Sequence, residues 1–168
     1  ETLNPLIMDA EITIGRGQWF SDVIPVFNPN TIYNKWITGI GGTTTAINDG
    51  YTIIISPNVA GIVSKEGIEN VVAVYGGIDS QRIAKRTQEI EEQGLRPVII
   101  STPDSFWKVD DALGPDIYHR FKCVIDDIHC FQEAASYRDS LPEFIDIYFQ
   151  RFGQKAVITA TLSPLSHP

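Results

Sequence analysis

The sequence predicts an α/β protein, a three-layer parallel sheet with helices on both faces. Three observations lead there. Six short Val- and Ile-rich runs recur along the 168 residues, segments of helical period separate them, and most of the runs are apolar at odd and even positions alike. A strand with one solvated face alternates, whereas a strand covered on both faces does not. Strands that alternate with helices close into a parallel sheet, because each return crossing needs a helix-length connection.

The strands are expected at Tyr33 to Thr38, Tyr51 to Ser56, Val71 to Tyr75, Pro97 to Ser101, Phe121 to Asp126 and Lys155 to Thr161. Gly, Pro, Asp or Asn bound each of them. Helices are expected at Thr43 to Asn48, Asn58 to Lys65, Asp79 to Gln93, Asp104 to Ala112, Gln132 to Arg138 and Leu141 to Phe152. Asp79 to Gln93 has the clearest signals: Asp79 or Ser80 can cap its first turn and Gly94 ends it. In the last helix Pro142 suits the first turn, and Phe144, Ile145, Tyr148, Phe149 and Phe152 recur at helical spacing, the pattern of a core face. Residues 1–30 read as a lead-in, with Pro5, Pro25, Pro29, Gly15 and Gly17 and one strand-like run, Glu11-Ile12-Thr13-Ile14; residues 31–168 form the domain.

Composition narrows the function classes. The chain is 43% hydrophobic and 20% charged, as ordinary globular domains are. Its longest apolar runs, such as Ile53-Ile54-Ile55, are strand-sized and far below the ~20 residues of a membrane helix, so no membrane partner is expected. Cys123 and Cys130 make neither a disulfide framework nor a metal set, and free thiols suit a cytoplasmic location. The chain opens on Glu1 with no signal-peptide pattern, as a piece of a longer protein would. A net charge of -8 argues against a strongly basic nucleic-acid clamp without excluding local contacts.

In parallel α/β sheets ligands bind at the carboxyl ends of the strands. There the chain places Thr38-Gly39-Ile40-Gly41-Gly42-Thr43-Thr44, then Ser56-Pro57-Asn58, Ser101-Thr102-Pro103-Asp104, Asp126-Asp127-Ile128-His129 and Thr159-Ala160-Thr161. The first has the layout of a phosphate-cradling loop: a strand, a glycine-rich turn that lets backbone N–H groups face an anion, and a helix start. Packing alone accounts for the apolar strands but not for this repeated polar signature on one sheet edge.

These five segments, in this order, resemble the motifs of superfamily 2 helicases, the DEAD/DExH-box group, and the likeness is to their first RecA-like ATP-binding domain. It covers about Tyr33 to Ser163. Thr38 to Thr43 looks like the Thr-Gly-x-Gly-Lys-Thr motif, Ile54 to Asn58 is similar to motif Ia, and Ser101 to Phe106 is similar to motif Ib. Val124 to His129 looks like the Asp-Glu-x-His box and Thr159 to Thr161 like Ser-Ala-Thr. The resemblance implies that Thr38, Gly39, Ile40, Gly41, Gly42, Thr43 and Thr44 bind ATP. It implies that Thr43 and Asp126 hold Mg²⁺ and that Asp127 positions the attacking water. It further implies that His129 couples to Thr159, Ala160 and Thr161, and that Pro57, Asn58, Thr102 and Pro103 meet a DNA or RNA strand. The strand would lie in a cleft completed by a second RecA-like domain that this chain does not contain. Gln18, beside Trp19 and Phe20, lies in the neighbourhood where the DEAD-box branch reads adenine.

Two positions depart from the pattern. Gly42 stands where the family's lysine supplies a charge to the β and γ phosphates, and Asp127 stands where the family has a glutamate, one methylene longer. Arg82, Lys85, Arg86 and Arg138 are the cations that sequence offers as replacements for the lysine, as is an arginine delivered by a second domain, whereas Lys35 starts the same strand, a strand's length from the phosphates. Two functions follow: a nucleotide-binding first domain coupling Mg-ATP hydrolysis to DNA or RNA remodelling, or a degenerate helicase-like module that binds nucleic acid or a protein partner without hydrolysing ATP. A doubly wound enzyme of another type, such as a small-molecule kinase, would need a substrate lid and a basic cluster, which the sequence does not display.

Overall fold

A computed structural model describes residues 12–34, 42–133 and 139–159. The described strands form one all-parallel, six-stranded sheet of order β1-β6-β5-β2-β4-β3. The strands are β1 (Thr31–Asn34), β2 (Thr52–Ile55), β3 (Val71–Val74), β4 (Val98–Ser101), β5 (Lys122–Ile125) and β6 (Lys155–Thr159). The helices are α1 (Phe20–Val23), α2 (Gly42–Asp49), α3 (Val59–Ser64), α4 (Ser80–Glu92), α5 (Trp107–Leu113), α6 (Ile117–Arg120), α7 (Ile128–Glu133) and α8 (Ser140–Ile147). Each described strand falls within or beside its expected run. In β2, β3 and β4 every residue is buried, as their unbroken apolar sequence requires.

Alternate residues of one strand enter different cores, which makes the structure three-layered. Ile53, Ile55, Val72, Val74, Ile99, Cys123 and Ile125 point into one core with Ile83, Ile90, Phe106, Val109, Phe131 and Phe144. Ile54, Val71, Ala73, Val98, Ile100, Val124 and Ile158 point into the other with Phe20, Phe27, Ala46 and Ile62. Helices α4 to α8 therefore cover one face, and α1 to α3 cover the opposite face. Each fully buried Ile or Phe contributes about 1.5–3 kcal/mol.

The signals read at Asp79 and Gly94 operate as expected, and Asn58 adds a cap that the sequence reading does not include. Asp79 accepts from the Arg82 N–H at 2.8 Å, Asn58 caps α3 by accepting from the Gly61 N–H at 3.1 Å, and Gly94 leaves α4 with φ 76°. Asp49 stands at the carboxyl end of α2, where the helix dipole disfavours an anion. Lys122 at the start of β5 offsets this: its Nζ lies 2.7 Å from Asp49 Oδ2 and 3.3 Å from the Phe27 carbonyl.

Several expectations change, among them the last helix, which ends at Ile147 and is followed by a 3₁₀ turn over Phe149–Arg151. Ile12 to Ile14 is not a strand, and Glu11 lies outside the described residues. The described lead-in belongs to the domain core: Phe20 and Phe27 are buried and meet the Tyr33 ring edge to face, and the Asn30 N–H bonds to the Lys155 carbonyl at 2.6 Å. Helix α6, four residues long, has too little period to be read from sequence. The helix expected at 132–138 begins earlier, as α7, and its residues 134–138 lie outside the described residues. No described helix is long and apolar enough to cross a membrane.

Helix α6 carries a polar cluster at the end of the sheet away from the strand carboxyl ends. Tyr118 donates its hydroxyl to Asp110 Oδ1, and Arg151 lies 4.0 Å over its ring. Burial, reinforced by the hydrogen bond to Asp110, pushes the Tyr118 phenol well above its usual range. The unfolded chain loses this proton near pH 10 and the folded chain does not, so stability present below pH 10 declines above it. Urea midpoints measured from pH 8 to 11 are expected to fall more steeply for the natural chain than for Tyr118→Phe; parallel curves would refute this.

Candidate functional site

Parallel strands deliver their carboxyl ends to one edge, and the two residues expected to hold a metal meet there. Asp126 follows β5 directly, and its N–H bonds to the Ile55 carbonyl of β2 at 2.9 Å, which fixes the backbone that carries the carboxylate. Thr43 sits in the first turn of α2. Its Oγ1 donates to Asp126 Oδ2 at 3.5 Å, although 83 positions separate the two in sequence. Asp126 is buried to 8% exposure, and Oδ1 atoms of both Asp126 and Asp127 are buried. A hydroxyl and a carboxylate at this spacing are hard oxygen donors, the type Mg²⁺ takes one or two of while keeping waters and phosphate oxygens as its other ligands.

The backbone turns sharply at Asp127, with φ 49°. That is the left-handed region, which Asp and Asn enter more easily than longer side chains do. Asp127 begins α7 by accepting from the Cys130 N–H at 2.8 Å through its carbonyl. The aspartate is therefore suited to its backbone, whatever one methylene costs in reach. His129 lies in the first turn of α7 by its backbone; its side chain falls outside the description.

Strand β6 lies between β1 and β5, so its carboxyl end separates the strand that leads to the glycine loop from the strand that ends at Asp126. Thr159, the last residue of β6, pairs in register with Asn34 of β1 and is buried at 4% exposure. Ala160 and Thr161 lie outside the described residues, as do Thr38, Gly39, Ile40 and Gly41.

Gly42 is buried, and a Cβ built on it would lie 3.1 Å from Ile158 Cδ1 of β6. Such a contact requires the isoleucine to yield by a few tenths of an ångström. The first turn of α2 thus rests against the sheet with little room for a side chain's first carbon. No local pattern announces this neighbour, since 116 positions separate Gly42 from Ile158.

The remaining candidates are distributed as follows. Thr44 is exposed, while Thr45 is buried and donates to the Ile24 carbonyl at 2.8 Å, holding the lead-in onto α2. Pro57 is half-buried and Asn58 is exposed as the cap of α3. Thr102 and Pro103 are buried, and Asp104 is the residue of that loop that meets solvent. Gln18 accepts from the Gly15 N–H at 2.9 Å beside the exposed Trp19.

The structure does not bring the α4 cations to the site. Arg82 pairs with Glu66 at 3.2 Å, Arg86 donates to the Glu69 carbonyl at 2.8 Å, and Lys85 faces Glu89 at 4.0 Å. Arg82, Lys85, Arg86, Glu66 and Glu89 line a cavity of about 300 Å³ along β3, the edge strand three positions from β5. Lys35 and Arg138 lie outside the described residues. No family model matches this chain, and no curated protein matches it.

Proposed function

We propose that this chain is the nucleotide-binding half of a nucleic-acid-dependent ATPase of the helicase type, completed by a second RecA-like domain. The observation that carries the reading is the 3.5 Å approach of the Thr43 hydroxyl to Asp126, at the junction of a glycine-rich loop, a helix start and a buried strand end. A sheet in which β6 separates β1 from β5 supports it, because the Thr159 segment then lies between the nucleotide loop and the Asp126-Asp127 turn.

In this reading Thr43 Oγ1 and Asp126 hold Mg²⁺, directly or through water, and Asp127 accepts a hydrogen bond from the attacking water. Bound Mg²⁺ would neutralise charge on the β and γ phosphates as the terminal phosphoryl group transfers. The N–H groups at the start of α2 would face the phosphates, and the helix dipole would add positive potential there. Thr159, next to the Asp126 strand, would relay phosphate loss toward the strand end that carries Asn58, the exposed residue of the segments proposed to border DNA or RNA, whereas Thr102 and Pro103 are buried.

A second reading rests on Gly42: a helicase-like module that binds a partner without hydrolysing ATP. Without a lysine, the electrostatic stabilisation that dominates phosphoryl transfer is reduced. Calorimetry separates the two readings. The first expects Mg-ATP binding that weakens at least tenfold in Asp126→Ala and without Mg²⁺, with turnover once the second domain and nucleic acid are supplied. Magnesium-dependent binding without turnover supports the second. Absence of binding at millimolar Mg-ATP sinks the first.

A further inference from the structure

A second surface stands apart from the nucleotide site. Residues 103–113 run as one helical stretch, a 3₁₀ turn over Pro103–Ser105 leading through Phe106 into α5. Its inner face is anchored: Phe106 and Val109 are fully buried, and Phe106 makes edge contacts with Phe144, Tyr148 and Phe152 at 5.0 to 6.1 Å between ring centroids. Its outer face carries Asp104, Trp107 and Asp111, three and four positions apart and all exposed. At that spacing residues stand above one another on a helix. Trp107 is 54% exposed. Keeping a large aromatic ring in water on a rigid element forgoes the stabilisation its burial would give.

We propose that this face docks a protein partner through an arginine or lysine laid on the Trp107 ring and paired with Asp104 and Asp111. Charge complementarity selects the occupant. Asp104 and Asp111, about one turn before and one turn after Trp107, attract a cation, and aromatic faces bind cations, arginine above all. The same carboxylates oppose a phosphate backbone. Lys108 Nζ stands over the ring at 5.9 Å from its centroid, the outer limit of a cation–π contact, and it is held there by its bond to the Tyr75 carbonyl at 3.3 Å. A ring on a fixed backbone loses little entropy on binding, as tryptophan hot spots do. The surface lies at the carboxyl end of β4, two strands from β5, so the inference is independent of the nucleotide reading.

The test is fluorescence anisotropy at low ionic strength, without nucleotide, using a labelled peptide of alternating arginine and glycine. Trp107→Ala is expected to weaken binding about tenfold, and Asp104→Asn with Asp111→Asn about fivefold. Trp107→Phe should keep most of the affinity. Glu143→Gln with Asp146→Asn removes the same charge from another exposed site and should leave binding unchanged. The proposal is overturned if that control weakens binding as much as the Asp104 and Asp111 pair does, or if Trp107→Ala changes nothing. It is also overturned if single-stranded oligothymidylate binds instead and loses affinity in Trp107→Ala. Circular dichroism establishes that each variant is folded.

Discussion

Gly42→Lys combined with Ile158→Val is expected to bind Mg-ATP about tenfold more tightly than the natural chain, the effect of one charge-assisted contact to phosphate. Gly42→Lys alone is expected to be destabilised by roughly 1–2 kcal/mol, the cost of forcing extra atoms into a packed core. The geometry sets this order. The atom that a Cβ at position 42 would meet is Ile158 Cδ1, at 3.1 Å, and valine is isoleucine without that methyl. Ile158→Val alone should cost about 0.5–1.5 kcal/mol. The double variant should therefore be more stable than the sum of the single changes, by about 1 kcal/mol of coupling. Urea unfolding of the four proteins measures the coupling, and calorimetry measures the affinity. Additive stabilities would show that Ile158 does not limit the site, and unchanged affinity would show that the loop does not face phosphate.

Gly50→Ala is expected to cost about 3 kcal/mol, combining backbone strain with a steric clash. Gly50 ends α2 at φ 72°, and a Cβ there would lie 2.3 Å from Arg96 Cβ and 3.1 Å from the Arg96 carbonyl. Neither atom is the free end of a flexible chain, so the backbone must move. For a domain of this size the melting temperature should fall by roughly 6–12 °C. Two comparisons isolate the causes. Gly77 has φ 84° with nothing near its would-be Cβ, so Gly77→Ala should cost only the backbone component, about 1 kcal/mol. Gly67 has neither constraint, and Gly67→Ala should stay within about 0.5 kcal/mol. Equal losses at positions 50 and 77 would remove the clash with Arg96 from the explanation.

Both predictions turn on residues whose importance the sequence shows only in part. Gly42 was conspicuous because a lysine was expected there, but the sequence offered no reason for glycine. In the structure a Cβ at that position would press on Ile158 of β6, a neighbour that no local pattern reveals. Asp127 is similar: its shorter side chain reads as a loss until its left-handed backbone shows why aspartate is tolerated. Asn58 was expected in a nucleic-acid loop, and it also performs a local task as the cap of α3. One residue can carry both signals because asparagine suits helix caps and phosphate contacts for the same reason, a short side chain rich in hydrogen-bonding groups.

Helix α4 shows the limit of residue type as a guide. Arg82, Lys85 and Arg86 are attractive stand-ins for a missing cation in a list of residues. Sheet order places their helix at the β3 edge, where their partners are Glu66, Glu89 and the Glu69 carbonyl. Conversely, nothing in the sequence marks Trp107 as the exposed aromatic of its helix. Its exposure follows from the helical phase that Phe106 and Val109 fix by burial.

By itself the sequence determined the approximate places of the strands, the caps of α4 and the three-layer architecture. All of these depend on short-range periodicity and turn chemistry, which are written in consecutive residues. The tertiary structure alone decided that Thr43 meets Asp126, that Ile158 crowds Gly42, that the lead-in is part of the core, and that the α4 cations stand away from the site. Those are contacts between residues far apart in the chain. Strand order and the alternation of side chains between two cores set them, and neither is expressed in any local pattern.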